Sequence, residues 1–137
     1  MVSPNEIIRF ALVGCGRISQ KHGEILGKGL VEGAQLVSVC DIDPKLANAA
    51  SKRYGVPRYT DMHEMFAKEG EHIDVVSILT ESGNHADHTI ELAPYGKHIV
   101  VEKPMALTLD SADQMIQECD ANGIKLFVVK QNRYNYA

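Results

Sequence analysis

The chain has 137 residues, of which 45% are hydrophobic and 23% are charged, and its net charge is −4. This length is typical of one domain of about 100–200 residues, large enough to bury a core without disulfide or metal staples. The apolar fraction excludes a disordered chain, and the acidic balance argues against a nucleic-acid-binding protein, which is more often basic. No apolar run approaches the roughly 20 residues that span a bilayer. We therefore expect neither a nucleic-acid partner nor a membrane partner.

Cysteine usage indicates a reducing compartment. Cys15, Cys40 and Cys119 are odd in number and unrelated in spacing, so they predict free thiols of a cytoplasmic protein rather than a disulfide framework or a zinc site. The spacing of His85 and His88 is not followed by carboxylate or cysteine ligands, and we expect no metal. The N-terminus lacks a basic region followed by a long apolar run, so no secretory signal is expected.

Short apolar segments alternate with helical patterns along the chain. Strands are predicted over residues 7–13, 34–40, 73–79, 98–101 and 124–129, with a short one near 58–59. Most of them are apolar at both alternating positions, which is typical of parallel strands covered by helices on both faces.

Helices are predicted between these strands from capping residues and stop signals. Four are bounded in this way: Asp43 to Gly55, Asp61 to Gly70, Asn84 to Gly96, and Thr108 to Asn122. Strand and helix thus alternate about six times, and parallel strands need right-handed crossovers. The pattern predicts an α/β class: a doubly wound, mostly parallel sheet in a three-layer α/β/α sandwich, the Rossmann fold.

The first predicted strand runs directly into a glycine-rich turn. Gly14 can make the tight turn, and Gly16 lets the main chain approach a pyrophosphate. The N–H groups that follow, at the start of a helix, face an anion favourably. Ser19 stands where the dinucleotide-binding fingerprint has its third glycine, and a small residue there still allows close helix–strand packing.

An acid follows the second predicted strand at the spacing that the fingerprint requires. Asp41 lies 22 residues after Ser19, where it can bond the hydroxyls of the adenosine ribose. A carboxylate there repels a 2′-phosphate, and Ile42-Asp43 supply no arginine to hold one, which favours NAD over NADP. S-adenosylmethionine binding on the same fold is the rival interpretation, but its loop usually has a small residue at the position of Ile18.

Three motifs, each after a predicted strand, resemble the N-terminal domain of the glucose-fructose oxidoreductase/inositol dehydrogenase (Gfo/Idh/MocA) family. The first is the turn from Gly14 to Ile18 with His22 behind it. The second is Leu79-Thr80 followed by Asn84 and His88, which is similar to a family loop that often reads Thr-Pro-Asn-x-x-His, with Glu81-Ser82-Gly83 intervening. The third and most specific is the Glu-Lys-Pro signature at residues 102–104.

The resemblance implies a redox site at the carboxyl ends of the strands. Lys103 is the expected catalytic residue, because its ammonium can bond the substrate hydroxyl and stabilise negative charge as proton and hydride leave. The remaining histidines, His22, His63, His72 and His98, are expected to be structural or surface residues. The implied cofactor-binding residues are Gly14, Gly16, Arg17, Ile18, Asp41, Ile42, Thr80, Asn84, His85, Glu102 and Lys103.

The tail at residues 129–135 resembles the end of the nucleotide domain in bacterial dehydrogenases that oxidise the 3-hydroxyl of UDP-N-acetylglucosaminuronic acid (UDP-GlcNAcA) for surface polysaccharides. Besides Lys103, this resemblance implies substrate contacts by Gln131, Asn132 and Arg133, since a guanidinium suits a carboxylate or diphosphate.

The family resemblance also implies a domain boundary near the end of the chain. Residues 1–130 are expected to form the dinucleotide-binding domain, and residues 131–137 to begin a linker into a C-terminal α+β domain that holds the sugar and builds a homo-oligomer. Two alternatives stay open: an inositol or other polyol dehydrogenase of the same family, and a non-catalytic NAD-binding module.

Overall fold

A computed structural model of the protein describes residues 6–129. Among these residues, six strands form one parallel sheet in the order β3-β2-β1-β4-β5-β6. The strands are β1 Ile8–Val13, β2 Ala34–Cys40, β3 Arg58–Tyr59, β4 Val75–Ile78, β5 His98–Val101 and β6 Leu126–Val128. The α-helices are α1 Ser19–Gly27, α2 Pro44–Tyr54, α3 Met62–Glu69, α4 His85–Leu92 and α5 Leu109–Ala121. The predicted Rossmann fold is confirmed.

The helix starts follow the predicted caps at three of four positions. Asp43 accepts a hydrogen bond from the Lys45 amide, Asp61 from the His63 amide, and Thr108 from the Ser111 amide. The prediction for Asn84 is wrong: within residues 6–129 its side chain caps nothing, because its φ of −103° and ψ of −5° continue a 3₁₀ turn (Ser82–Asn84) into α4. An N-cap side chain needs an extended main chain to reach back to the helix amides.

The two faces of the sheet carry separate cores. One face packs strand residues such as Val76 and Ile99 against α3, α4 and α5, with Phe66, Leu92 and Met115 buried between them. The opposite face packs strand residues against α1 and α2 through Leu12, Leu36, Val39, Ala50 and Tyr54. Each cluster therefore lies between the sheet and one helical layer of the three-layer sandwich.

The apolar strand pattern predicted helices over both faces of the sheet. In the described part of the structure, one face is left uncovered near β5 and β6. Val100 of β5 pairs with Phe127 of β6, and within residues 6–129 neither belongs to a buried cluster. The side chain of Phe127 is 51% exposed. The reason is topological, since α1 and α2 lie over β1–β3 and the later crossovers all pack on the other face.

An ion pair joins β1 to the residue before β4 at the amino end of the sheet. The Nε and Nη2 atoms of Arg9 each lie 3.0 Å from a carboxylate oxygen of Asp74, and the Arg9 amide lies 2.8 Å from Oδ2. These hydrogen bonds lower the pKa of Asp74 below its usual value. The charged pair therefore favours the folded state whenever Asp74 is ionised.

The Arg9–Asp74 pair predicts a pH-dependent contribution to stability. Because the pKa of Asp74 is lower in the folded state than in the unfolded state, the contribution is complete above about pH 4 and is lost as pH falls through the folded-state value. Asp74→Asn should lower the free energy of unfolding at pH 7, by a modest amount since both side chains are about one-third exposed. Denaturant titrations from pH 2 to 7 measure this, with the exposed Asp113→Asn as control. A deficit that does not shrink at low pH would contradict the assignment.

Candidate functional site

A cleft of about 660 Å³ opens at the carboxyl ends of β1, β2 and β4. Because β1 lies between β2 and β4, crossovers leave it in opposite directions at this point, and open α/β sheets bind ligands there. Six of the predicted cofactor residues lie in its wall: Gly14, Gly16, Asp41, Ile42, Thr80 and Asn84.

The two glycines of the turn have different physical reasons to be glycine. Gly14 has a φ of +105°, and a Cβ there would lie 2.7 Å from the carbonyl carbon and oxygen of Leu79. Gly14 is therefore required by both its conformation and its packing against the end of β4. A Cβ on Gly16 would meet no described atom within 4 Å, so its space opens into the cleft. The open space at Gly16 fits a pyrophosphate against the main chain.

The start of α1 is suited to an anion. Ile18 precedes the helix, and in the described part of the chain neither a capping side chain nor an acidic residue occupies its first turn. Ser19 is buried and its hydroxyl donates to the Gly16 carbonyl at 2.6 Å, so it holds the turn without covering the helix amides. These amides and the helix dipole attract negative charge.

Asp41 connects the loops that follow β1 and β2. Its Oδ2 accepts a hydrogen bond from the Cys15 amide and its Oδ1 from the Asp43 amide, both at 2.8 Å. Each carboxylate oxygen keeps a further lone pair, and the residue lies in the cleft wall. The carboxylate is therefore both a structural link and an acceptor directed at the cleft.

Two thiols lie beneath this loop. Cys15 and Cys40 are buried, and burial raises the pKa of each thiol to about 12. Both thiols therefore stay protonated at neutral pH and are not reactive. They act as small apolar groups that fill the core under the glycine turn.

Thr80 and His88 form a second polar contact in the cleft. The Thr80 hydroxyl lies 2.9 Å from Nδ1 of His88, and both residues line the wall. Burial lowers the pKa of His88, so its ring is neutral at pH 7. A neutral ring bonded at Nδ1 presents Nε2 as its second polar atom.

His85 does not line the described cleft wall, and its role as a cofactor-binding residue stays a prediction. Its side chain is 1% exposed, and its ring nitrogens lie 2.8 Å from the main-chain carbonyls of Thr80 and Pro104. Counted without an insertion, the Thr-Pro-Asn-x-x-His pattern runs from Thr80 to His85. The contact from His85 back to Thr80 favours that count over the one through Asn84 and His88.

Glu102 also lies away from the cleft wall. It is 3% exposed, and its Oε1 lies 2.7 Å from Nε2 of His22 in α1. Among the described contacts it pairs with His22 rather than with Lys103 or a cofactor position. The expected contact of Glu102 with the cofactor stays a prediction, and the contact with His22 agrees with the expectation that His22 is structural.

The remaining predicted residues are exposed around the cleft. Arg17 and Ile18 lie at the start of α1, and Lys103 follows β5, where its peptide bond to Pro104 is cis. Within residues 6–129 these three side chains lie outside the cleft wall. Gln131, Asn132 and Arg133, and the predicted boundary after residue 130, lie outside the described residues.

Across residues 6–129, no group of three or more His, Cys, Asp or Glu side chains is arranged to hold a metal ion. No helix in that range is long and apolar enough to cross a membrane.

Residues 8–130 match the model of an oxidoreductase family with an NAD-binding Rossmann fold, GFO_IDH_MocA. The chain belongs to the Gfo/Idh/MocA family. It is thus an NAD-binding oxidoreductase domain, and the cofactor prediction of NAD is confirmed.

Solved structures of two dehydrogenases are similar to this Gfo/Idh/MocA domain over nearly its whole length. The WlbA dehydrogenase from Bordetella pertussis, in complex with NADH and UDP-GlcNAcA, is 42% identical with a TM-score of 0.87, covering 95% of this chain and 39% of that one. The WlbA dehydrogenase from Chromobacterium violaceum, with the same two ligands, is 41% identical with a TM-score of 0.88, covering 96% and 37%.

A curated relative has a different sugar in its name. D-apiose dehydrogenase from Paraburkholderia graminis is 33% identical over 128 residues, which is 93% of this chain and 33% of that protein. The chain therefore spans about one-third to two-fifths of the length of the relatives it matches.

Substitution of Gly14 is expected to lower stability, whereas substitution of Gly16 is expected to weaken NAD binding. Gly14→Ala should lower the free energy of unfolding by roughly 2–4 kcal/mol, because it adds both strain and overpacking. Gly16→Ala should leave stability nearly unchanged but weaken NAD binding, since its methyl group enters the space open to the cofactor. Thermal denaturation and NAD titration measure the two effects. Equal loss of stability in both variants would contradict the distinction.

Proposed function

We propose that this chain is the cofactor half of a dehydrogenase that oxidises the 3-hydroxyl of UDP-GlcNAcA to a ketone, with NAD as the hydride acceptor. The observation that carries the proposal is the 41–42% identity to two WlbA dehydrogenases solved with NADH and UDP-GlcNAcA. The identity to a solved myo-inositol 2-dehydrogenase, from Lactobacillus plantarum, is lower, at 26% over 95% of the chain.

The whole protein is proposed to have two parts and to act in the cytoplasm. Residues 1–130 form the dinucleotide-binding domain, and residues 131–137 lead towards a segment that binds the sugar and forms a homo-oligomer. The product serves the synthesis of surface polysaccharides such as lipopolysaccharide. Three buried free cysteines are consistent with a cytoplasmic protein.

The cleft favours NAD over NADP for a specific electrostatic reason. The Asp41 carboxylate is placed to accept hydrogen bonds from ribose hydroxyls, and it would repel a 2′-phosphate. Ile42 is 89% exposed beside it and Asp43 follows, so neither neighbour offers a positive charge. Repulsion without a compensating cation penalises the phosphorylated cofactor.

Lys103 is the proposed catalytic residue. NAD, when bound, accepts the hydride. The Lys103 ammonium donates a hydrogen bond to the substrate hydroxyl oxygen and stabilises the negative charge that develops as the hydroxyl proton passes to a general base in the sugar-binding segment. Arg133 binds the sugar carboxylate or diphosphate through paired hydrogen bonds, with Gln131 and Asn132 bonding neighbouring polar groups. Lys103 contacts both the sugar and the cofactor in this arrangement.

Two further functions each have an observation in their favour. Relatives named D-apiose dehydrogenase and myo-inositol 2-dehydrogenase, at 33% and 29% identity, favour oxidation of a simple sugar or polyol. The span of 37–39% of the WlbA structures favours a domain that binds NAD without turnover by itself.

Cofactor choice is tested at Asp41. The protein should bind NAD more tightly than NADP, and Asp41→Asn should reduce that preference by about tenfold or more, since it removes the charge while keeping an acceptor for the Cys15 amide. Calorimetric titration with both cofactors measures the ratio, and thermal denaturation checks that the loop remains folded. Equal affinity of the unmodified protein for NAD and NADP would overturn the assignment.

Activity is tested in the encoded full-length polypeptide. It should reduce NAD with UDP-GlcNAcA, and Lys103→Met should lower kcat/KM by roughly 10²–10⁴-fold. Lys125→Met is the matched control, because this exposed lysine lies at the opposite end of the sheet. Good turnover of myo-inositol without turnover of UDP-GlcNAcA would reject the proposed substrate. Full activity of Lys103→Met would reject the proposed catalytic residue.

A further inference from the structure

The residues on either side of Lys103 are each bound by a histidine from another element. Glu102, which precedes it, has its Oε1 2.7 Å from Nε2 of His22 in α1. Pro104, which follows it, has its carbonyl oxygen 2.8 Å from Nδ1 of His85 at the start of α4. We call His22 and His85 the histidine clamp, since together they hold the main chain on both sides of the lysine.

The clamp contacts are buried, which makes their loss costly. Glu102 is 3% exposed and His85 is 1% exposed, while one-fifth of the His22 side chain is exposed. A buried carboxylate or imidazole that loses its partner retains the full cost of desolvation. Both contacts therefore strongly favour one conformation of the turn.

Each histidine of the clamp also connects this turn to a wall of the cleft. His22 lies in α1, the helix that begins directly after the glycine turn. His85 uses its second nitrogen, Nε2, to bind the carbonyl of Thr80 at 2.8 Å. His85 thus lies between the Pro104 carbonyl and the Thr80 carbonyl and connects the turn to the loop after β4.

Among the described contacts, Lys103 itself has few other restraints. Beyond the last residue of β5, the Glu102 amide makes a long hydrogen bond of 3.4 Å to the Ile78 carbonyl. Lys103 and Pro104 are both exposed, whereas Met105 and Ala106, which follow them, pack against the core. The clamp therefore adds directional polar contacts on both sides of the lysine to this apolar packing.

We propose that His22 and His85 are positioning residues that fix Lys103 relative to the glycine turn and the Thr80 loop. They act through Glu102 and Pro104, and neither is a catalytic residue. This inference rests on the proposed function of Lys103 in dehydrogenation. A displacement of about 1 Å at a catalytic group can cost roughly a hundredfold in rate, which is the scale of effect expected from releasing one side of the clamp.

The first test measures the turn itself, independently of activity. In the intact protein, His22→Ala should raise amide hydrogen exchange in a peptide spanning residues 98–106 by about tenfold, while exchange in β1 stays unchanged. His22→Gln should restore protection, because its amide nitrogen can donate to Glu102. His72→Ala, at an exposed histidine, is the control. An equal rise throughout the sheet would mean a purely structural role and would overturn the proposal.

The second test measures turnover of the full-length protein. His22→Ala and His85→Ala should each lower kcat by roughly a hundredfold with little change in KM or NAD affinity. His22→Gln should recover most of the rate. Unchanged kcat in a variant that shows local exchange at residues 98–106 would overturn the positioning role. If His22→Ala does not fold, Glu102→Leu replaces it, because it removes the acceptor at similar size, and it should show the same local exchange and loss of kcat.

The two failures remain distinguishable. If Lys103→Met keeps full activity, the proposed function of the lysine is wrong whatever the clamp does. If Lys103→Met is inactive and the clamp variants keep full kcat, the clamp inference alone is wrong.

Discussion

The cleft depends on one close contact, between Gly14 and the peptide that joins Leu79 to Thr80. A side chain on Gly14 would overlap the Leu79 carbonyl and the Thr80 amide, at 2.7 and 2.8 Å. The ends of β1 and β4 can therefore approach until their main chains touch. Because β1 is also where the crossovers diverge, the loops beyond this contact separate and leave a gap over the sheet.

Asp41 holds the other side of this gap. Its carboxylate accepts hydrogen bonds from the amides of Cys15 and Asp43, so the loops after β1 and β2 are joined through one side chain. The same group is the proposed determinant of cofactor choice. Loop geometry and cofactor preference are thus physically coupled, and a change at Asp41 that keeps a hydrogen-bond acceptor disturbs the loop less than one that removes it.

The sequence predicts the structure correctly where a side chain bonds main-chain groups a few residues away. The caps at Asp43, Asp61 and Thr108 each bond an amide two or three residues away, and such contacts can be inferred from spacing. Asn84 had the right residue type for a cap but lies in a main-chain conformation that excludes it. The conformation comes from the preceding 3₁₀ turn, and residue type alone does not reveal it.

The polar contacts behind the cleft required the fold. His22 and Glu102 are 80 residues apart in the chain, and the sequence gives no periodicity that connects them. The Glu-Lys-Pro motif identified all three residues, but it suggested that Glu102 turns towards the lysine or the cofactor. It turns inwards because β5 is followed at once by a buried position, where a carboxylate needs a partner.

In the proposed function, cofactor choice and substrate choice depend on different parts of the protein. The described cleft wall contains the glycine turn, Asp41 and Thr80, which are all predicted to bind the nucleotide. Two relatives named for apiose and inositol, and a dehydrogenase solved with a nucleotide sugar, align with 93–96% of this chain, so similar domains occur in proteins associated with different sugars. If Lys103 is the catalytic residue proposed above, its position relative to the nicotinamide must stay constant whichever sugar is oxidised. The histidine clamp would meet that requirement, because His22 and His85 contact Glu102 and Pro104, the residues on either side of the lysine.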